Sequence, residues 1–430
     1  MATQTIDMSN VETCTFNNQN VGEIYLNSDK IWPTSSEYIE LVISGGELDL
    51  TFDEDFGDNI ETSLDLGQTW VQMYAGDNLY IGTGDRVRVR GFSNRSVGNS
   101  NHTPMWSTTI VSGNPIIDCY GRLDALLDYQ TSAMNQVPQM ANNTFDSLFY
   151  NWTMLRHAPE ISLATSLPQY ACYNLFRGCS NLINAPNLPA TTLGYYCYGY
   201  MFSNCTSMLT APPILPAQTL GSLCYESMFS GCTGLINGPS EISALSLPGG
   251  ACRAMFKDCS SLISGPNILA TSYTGGAATT QQSFYNMFLR CSALTKAPDL
   301  LATTIPRNAC ATMFAECSSL KVPPKIYATH LEQLALNNIF RDCVNLEKLP
   351  KLNFMSGVRT GAQRMFSGCS KIKISETQTG EYVNAYRIPF TGTSTADAET
   401  CYNIFYNTGG TYTGTAIINT TYYTSNEIAD

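Results

Sequence analysis

One short sequence pattern recurs along most of the chain and limits the folds that the chain can adopt. An apolar residue precedes a phenylalanine, and a cysteine follows three residues later, as in Leu175-Phe176 with Cys179. Successive cysteines are 26, 27, 27, 32, 26, 26 and 26 residues apart. A fixed period in the 20s predicts a solenoid, in which each repeat buries its apolar face only against its neighbours. The anchor cysteines are Cys179, Cys205, Cys232, Cys259, Cys291, Cys317, Cys343 and Cys369.

Degenerate copies flank this series. Leu148-Phe149 precedes it with Trp152 at the cysteine position, and Ile404-Phe405 follows it. The regular period fails after Ile374. Because a solenoid needs an end that hides its hydrophobic face, residues 376–430 are predicted to form a C-terminal cap, with a receptor-binding tip as the alternative.

Each repeat divides at its cysteine into two parts. In "LGYYCYGYMFSNC", apolar residues stand 4, 5 and 8 positions after Cys197, which predicts a short helix with Thr191 or Thr192 as its N-cap. After the cysteine, an apolar residue and then a proline predict a short strand and a turn, as at Leu182 and Pro186. One short helix and one short strand in about 26 residues is the leucine-rich-repeat plan, of class α+β.

The cysteines are predicted to be packing residues. Besides the eight anchors, five of the 16 cysteines lie seven or eight positions before an anchor. Other repeats place Phe284, Leu336 and Ala362 there, and a disulfide or zinc site would not survive such replacement. Free cysteine packs as a small buried hydrophobe. The five upstream cysteines are Cys172, Cys197, Cys224, Cys252 and Cys310.

The repeat "MFSNCTSMLTAPPILPAQTL" resembles the BspA-type, or Treponema-type, leucine-rich repeat over residues 111–375. The segment "LPATTL" is similar to a variant found in proteins of gut Bacteroides and of their tailed phages, crAss-like phages among them. The resemblance implies extracellular adhesion to a host protein, a glycan or another virion protein. Since "MATQTIDMSNVETCTFNNQN" is no signal peptide, a structural protein of a phage virion is expected. A bacterial cell-surface adhesin is the alternative.

Residues 1–110 lack the repeat and are predicted to form an all-β, sandwich-like domain that anchors the protein to other virion proteins. "VGEIYLNSDKIW" predicts two short strands, and further alternating segments follow at about ten-residue spacing. Arg86, Arg88 and Arg90 share one face of "RVRVRGF", which indicates cross-strand charge pairing or a docking stripe. "DEDFGDNIE" (53–61) is similar to a calcium loop, but Leu64 replaces its expected glutamate, so no metal site is predicted.

Composition excludes several partners. The formal net charge is −12, which disfavours duplex DNA and anionic membranes. No apolar run reaches the roughly 18 residues that a membrane span needs. We therefore expect no nucleic-acid and no membrane partner, and leave a homo-oligomer open.

The lysines concentrate in the late repeats. Of nine lysines, seven lie in the segments that follow the last four anchor cysteines. Their role is either to protect strands from edge association or to bind an anionic partner such as an acidic glycan or an acidic protein face. Asp299 and Glu347 share these segments and are expected to weaken the positive potential. The predicted partner-binding residues are Lys296, Lys321, Lys325, Lys348, Lys351, Lys371 and Lys373.

No catalytic motif is present in the sequence. His102, His157 and His330 have no neighbouring nucleophile motif, and no phosphate-binding loop or zinc-protease motif occurs. We therefore predict no catalytic residue and no cofactor. A glycan-cleaving enzyme is the remaining alternative, because paired carboxylates need not be close in sequence.

Overall fold

A computed structural model of the chain describes residues 37–53, 59–94, 96–98, 100–274, 281–357, 360–390 and 400–429, and the backbone of four short strands before residue 37. About 26% of the described residues are strand and 2% are helix, so the fold is β-rich. The two helices of the described part are a 3₁₀ helix at Leu123–Leu126 and an α-helix at Tyr129–Ala133. The predicted calcium-like segment lies mostly outside the described residues, because residues 54–58 are not among them.

The N-terminal unit consists of two small hairpins and one seven-stranded sheet. The pairing of β3 with β4 confirms the two strands predicted in "VGEIYLNSDKIW". The sheet has the order β11-β10-β5-β9-β6-β7, and β8 also pairs with β5. The strands are β1 (Thr15–Phe16), β2 (Gln19–Asn20), β3 (Ile24–Leu26), β4 (Asp29–Trp32), β5 (Ile39–Phe52), β6 (Ile60–Ser63), β7 (Val71–Met73), β8 (Asn78–Ile81), β9 (Arg86–Gly91), β10 (Trp106–Gly121) and β11 (Leu155–His157).

Two long strands join this unit to the repeats. The antiparallel pair β5–β10 is irregular near Gly46, where a Cβ would lie 2.5 Å from the carbonyl oxygen of Ser112, so only glycine fits. Strand β10 crosses the predicted domain boundary between residues 110 and 111. Its C-terminal part, at Ile117 and Asp118, pairs in parallel with β11. The sheet and the repeats are therefore built on a shared strand.

The arginines of β9 are paired within the sheet. Arg86 and Arg88 contact Glu40 on β5 at 3.0 and 2.9 Å, and Arg90 contacts Glu61 on β6 at 2.8 Å. Cross-strand charge pairing is thus confirmed. These contacts hold the sheet together and engage each arginine of the predicted docking stripe.

We call the repeats from Phe149 to Phe405 the repeat stack. Equivalent short strands of successive repeats pair in parallel, as Thr192–Leu193 does with both Ser166–Leu167 and Thr219–Leu220. Thr192, a predicted helix N-cap, is therefore a strand residue. The strands of the stack are Ser166–Leu167, Thr192–Leu193, Thr219–Leu220, Glu241–Ile242, Ser246–Leu247, Asn267–Ile268, Ser272–Tyr273, Thr304–Ile305, His330–Leu331, Lys348–Pro350, Ser356–Gly357, Ile374–Ser375 and Asn384–Arg387, with Thr421–Thr424 and Glu427–Ala429 beyond it.

The prediction of a short helix before each cysteine is wrong, because this part of the repeat is a ribbon of overlapping turns. Alternate backbone N–H groups bond within the repeat and to the next one. Cys197 donates to Gly194 at 3.3 Å, whereas Tyr198 donates to Cys224 of the next repeat at 2.9 Å. Half of these amides therefore hold neighbouring repeats together instead of closing helical turns.

Backbone angles also exclude a helix here. Tyr196, Tyr200 and Asn204 have φ values of 53°, 55° and 62°. An α-helix needs φ near −63° at every residue, so a left-handed residue at every fourth position is incompatible with it. The side chains that point inward recur every four residues. Over a segment of only eight residues, this period cannot be distinguished from the period of 3.6 residues of an α-helix.

Phenylalanine rings form the centre of the repeat stack. Neighbouring rings lie 5.4–6.0 Å apart between centroids and 5–13° apart in plane. Both degenerate copies take part, which confirms them as repeats. The ladder consists of Phe149, Phe176, Phe202, Phe229, Phe256, Phe288, Phe314, Phe340, Phe366 and Phe405.

The anchor cysteines hold successive repeats together through their thiols. The Sγ of Cys232 donates to the carbonyl oxygen of Phe202 in the preceding repeat at 3.0 Å, and the other seven anchors make the equivalent bond at 3.0–3.2 Å. Burial raises the pKa of Cys232 to about 12, so the thiol keeps its proton at neutral pH. All 15 cysteines in the described part are free and buried, as packing residues are.

Aromatic residues cover both ends of the ladder. At the N-terminal end, the ring of Trp106 lies 5.8 Å from that of Phe149, and its Nε1 donates to the carbonyl oxygen of Leu148 at 2.7 Å. At the C-terminal end, three tyrosine rings lie 6.3–6.4 Å from Phe405. These are the contacts expected of a cap. The three tyrosines are Tyr386, Tyr412 and Tyr422.

Candidate binding surface on the repeat stack

The segment after each anchor cysteine carries the predicted surface. Single parallel bridges join the residues five positions past successive anchors, so this segment is a row of isolated bridges in most repeats rather than a longer strand. Because each cysteine and the apolar residue three positions later are buried, the residues four and five positions past the anchor face outward. The bridges join His157, Asn184, Thr210, Asn237, Ser264 and Lys296 in order.

The early part of this surface is neutral. Leu209, Ile236 and Ile263 are 47%, 42% and 47% exposed, which leaves one aliphatic side chain per repeat in contact with solvent. Beside them, the Thr210 hydroxyl donates a hydrogen bond of 2.6 Å to Oδ1 of Asn184 in the preceding repeat. Polar side chains here satisfy each other along the stack.

Four of the seven predicted lysines are in ion pairs. Lys321 and Lys371 lie 3.9 and 2.8 Å from the same carboxylate, that of Glu347. The hydrogen bond from Lys371 lowers the pKa of Glu347. The predicted weakening of the positive potential by Glu347 is therefore confirmed.

The C-terminal segment supplies the other two carboxylates. Lys348 lies 2.6 Å from Glu427, and Lys373 lies 3.1 Å from Glu381. The repeat pattern predicts neither pair, because both glutamates lie outside the regular repeats: Glu381 follows Lys373 by eight residues, and Glu427 reaches Lys348 through the return of the chain. The strand Glu427–Ala429 pairs in parallel with Lys348–Pro350 and so places Glu427 opposite Lys348.

The other three lysines have no carboxylate within ion-pair distance in the described part of the chain. Lys296, Lys325 and Lys351 are exposed and belong to three consecutive repeats. The predicted residues thus fall into two groups, and among the described residues only the group of three has no paired carboxylate.

Three adjoining cavities connect these three lysines, and we call them together the lysine groove. Lys296 lines a cavity of about 270 Å³ and shares a second, of about 400 Å³, with Lys325. Lys325 and Lys351 line a third, of about 380 Å³. Tyr327, which is 50% exposed, forms part of the wall of the third cavity. The sequence pattern did not identify this residue.

Two consecutive prolines line the lysine groove. In earlier repeats the residue six positions past the anchor donates its N–H to the next repeat, as Gly265 does to the carbonyl oxygen of Lys296 at 3.4 Å. Pro323 occupies this position in its repeat and has no N–H to donate. Pro323 therefore makes no such link to the following repeat, and Pro323 and Pro324 line the second cavity. The row of bridges already ends at Lys296, one repeat earlier.

The three histidines have structural partners. His102 Nδ1 lies 2.5 Å from Asp146, His157 Nδ1 lies 2.6 Å from Asp118, and His330 Nδ1 lies 2.8 Å from the Thr329 hydroxyl. Within the ranges that the structure describes, no group of three or more His, Cys, Asp or Glu side chains could hold a metal ion.

Comparison with known proteins identifies no relative. No protein-family model matches the chain, and no curated protein and no solved structure matches it. Among the described residues, no helix is both long enough and apolar enough to cross a lipid bilayer.

Proposed function

We propose that this is a non-enzymatic structural protein of a tailed-phage virion, and that the repeat stack is a leucine-rich-repeat solenoid of the BspA type. The β-rich unit at residues 1–110 attaches it to other virion proteins. The stack then offers its side as an adhesion surface for a host surface protein, a glycan or a neighbouring virion protein.

The observation that supports a surface role is the covering of both ends of the phenylalanine ladder. Trp106 closes one end and three tyrosines close the other, so the stack is not extended by further repeats. What it still exposes is its side, along which equivalent positions recur from repeat to repeat. Extended lateral surfaces of this kind are what repeat proteins use for binding.

The virion assignment rests on the sequence resemblance and is tested by peptide mass spectrometry of gradient-purified phage particles. Finding the chain at a fixed number of copies per particle is the expected result, and the copy number would point to the head or the tail. Absence from particles, together with presence in washed bacterial envelopes, would refute it and favour a bacterial adhesin. Turnover of a glycan by the purified protein would instead favour the enzyme.

A further inference from the structure

We propose that the lysine groove binds an acidic polysaccharide that carries one carboxylate on each of several consecutive sugars and lies along the repeat stack. The inference rests on the adhesive role proposed above and names the chemical class of its ligand.

The order of the charges favours an extended ligand. Lys325 and Lys351 stand eight positions past consecutive anchor cysteines, and Lys296 stands five positions past the anchor before them. Neighbouring strands of a sheet lie about 4.8 Å apart, so the equivalent positions of Lys325 and Lys351 recur at a short step. An extended polysaccharide with one acidic group on each of several sugars can follow the three lysines from repeat to repeat.

The walls favour sugar rings. The third cavity combines Lys325 and Lys351 with the exposed ring of Tyr327 and with Pro324 and Pro350. A sugar ring presents C–H groups on its face, which pack on aromatic and proline surfaces, and polar groups at its edge. A tyrosine beside two lysines can therefore contact the face of a uronic acid while the lysines pair with its carboxylate.

The charge balance favours a ligand of low charge density. Asp299 and Glu427 also line the second cavity; Asp299 Oδ1 accepts the N–H of Lys325 at 2.8 Å, and Glu427 is paired with Lys348. The groove keeps a small positive excess inside a protein of net charge −12. One charge per sugar suits this excess better than the closely spaced phosphates of a nucleic acid.

The test is calorimetric titration of the full chain with a linear oligogalacturonate, with its fully methyl-esterified form as the uncharged control. We expect the acid to bind and the ester to bind at least about tenfold more weakly, with the difference shrinking as salt is raised. Equal binding of acid and ester, or no binding of the acid, would overturn the proposal.

Two triple variants with the same change of net charge locate the site. Lys296→Gln/Lys325→Gln/Lys351→Gln removes the groove lysines, and Lys321→Gln/Lys371→Gln/Lys373→Gln removes three paired lysines outside the cavities. The first is expected to weaken binding about tenfold or more, and the second by less than about twofold, because exposed pairs contribute little. Equal losses would show a general charge effect and refute the groove.

Tyr327 separates sugar stacking from simple charge attraction. Tyr327→Ala is expected to weaken oligogalacturonate binding about tenfold, whereas Tyr327→Phe keeps the ring and the affinity. A polyglutamate peptide that binds as tightly as the sugar would show a preference for acidic protein instead and overturn the proposal. These outcomes are independent of the mass-spectrometric test, since a virion protein can lack this ligand and a groove can bind it in any location.

Discussion

The early and late repeats share one core but present different surfaces. The phenylalanine ladder and the anchor thiols continue through both halves with the same spacing. The early repeats expose tyrosines and neutral side chains, and the late repeats expose lysines and a groove. The core therefore fixes the backbone, and the candidate function lies where a repeat departs from the others.

The tyrosines of the first two repeats show how free the surface is to differ. Five of their ring pairs pack edge to face, with centroids 4.7–5.8 Å apart, and the rings of Tyr170 and Tyr196 stack at 5.5 Å. At the left-handed turn position of Tyr200, the preceding repeat has Asn174 and the next two have Ser227 and Ala254. The fold does not require tyrosine there. The cluster consists of Tyr170, Tyr173, Tyr195, Tyr196 and Tyr200.

The largest expected effect tests whether the two cores are equivalent. Phe202→Ala in the early half and Phe314→Ala in the late half each remove a buried ring with a stacked neighbour on both sides. We expect each change to lower the free energy of unfolding by about 3–5 kcal/mol, measured by urea denaturation. If the two losses of unfolding free energy differed by more than about 2 kcal/mol, the two halves of the core would not be equivalent.

The next effect separates the two kinds of cysteine. Cys232→Ala removes both buried volume and the thiol bond to Phe202, and we expect it to cost about 2–3 kcal/mol. Cys224→Ala, at the position where other repeats use Phe, Leu or Ala, is expected to cost about 1 kcal/mol less, the value of one hydrogen bond. Equal costs in urea denaturation would mean that the thiol bond contributes nothing.

A third prediction concerns the early end alone. Burial raises the pKa of Asp118, but hydrogen bonds from Arg156 and His157 outweigh this effect and leave the pKa below its usual value. Asp118 therefore stabilises the fold above the unfolded-state pKa of about 3.9, and this contribution is lost as the pH falls through its lower folded-state pKa.

The matched experiment compares the wild type with Asp118→Asn. The difference between their unfolding midpoints should be large at pH 6 and shrink on acidification below about pH 4, where the aspartate becomes protonated. A difference that does not change with pH would show that the carboxylate charge is not what stabilises this end.

The smallest effect concerns the late surface. Because Lys296, Lys325 and Lys351 are exposed, replacing all three with glutamine is expected to change the free energy of unfolding by less than about 0.5 kcal/mol. The loss of binding predicted for this variant must therefore occur in a protein of unchanged stability. A large destabilisation would assign the three lysines to the fold.

The sequence predicted the period, the buried anchors and the degenerate copies because these repeat at fixed spacing. It did not distinguish the turn ribbon from a helix, since both bury similar positions over eight residues. A signal was present: the residue before the anchor is Gly178, Asn204, Gly231 and Asp258 in successive repeats, and these residue types accept left-handed backbone.

The repeat pattern could not predict which of the seven lysines are in ion pairs and which are not. Glu427 is close to Lys348 only because the chain returns along Lys348–Pro350, and this return has no counterpart in the repeats. Pro323 is visible in the sequence, but the cavity that it lines also takes a wall from the returning strand Glu427–Ala429. Contacts between segments distant in sequence thus decided which lysines remain free.

The central claim is that the late repeats carry the binding surface, and its most direct test is the adsorption rate of phage particles assembled with altered chains. Particles with Lys296→Gln/Lys325→Gln/Lys351→Gln should adsorb to host cells at least about threefold more slowly, and those with Lys321→Gln/Lys371→Gln/Lys373→Gln at the wild-type rate. Equal adsorption of both variants and the wild type, with equal incorporation of the chain, would contradict the account.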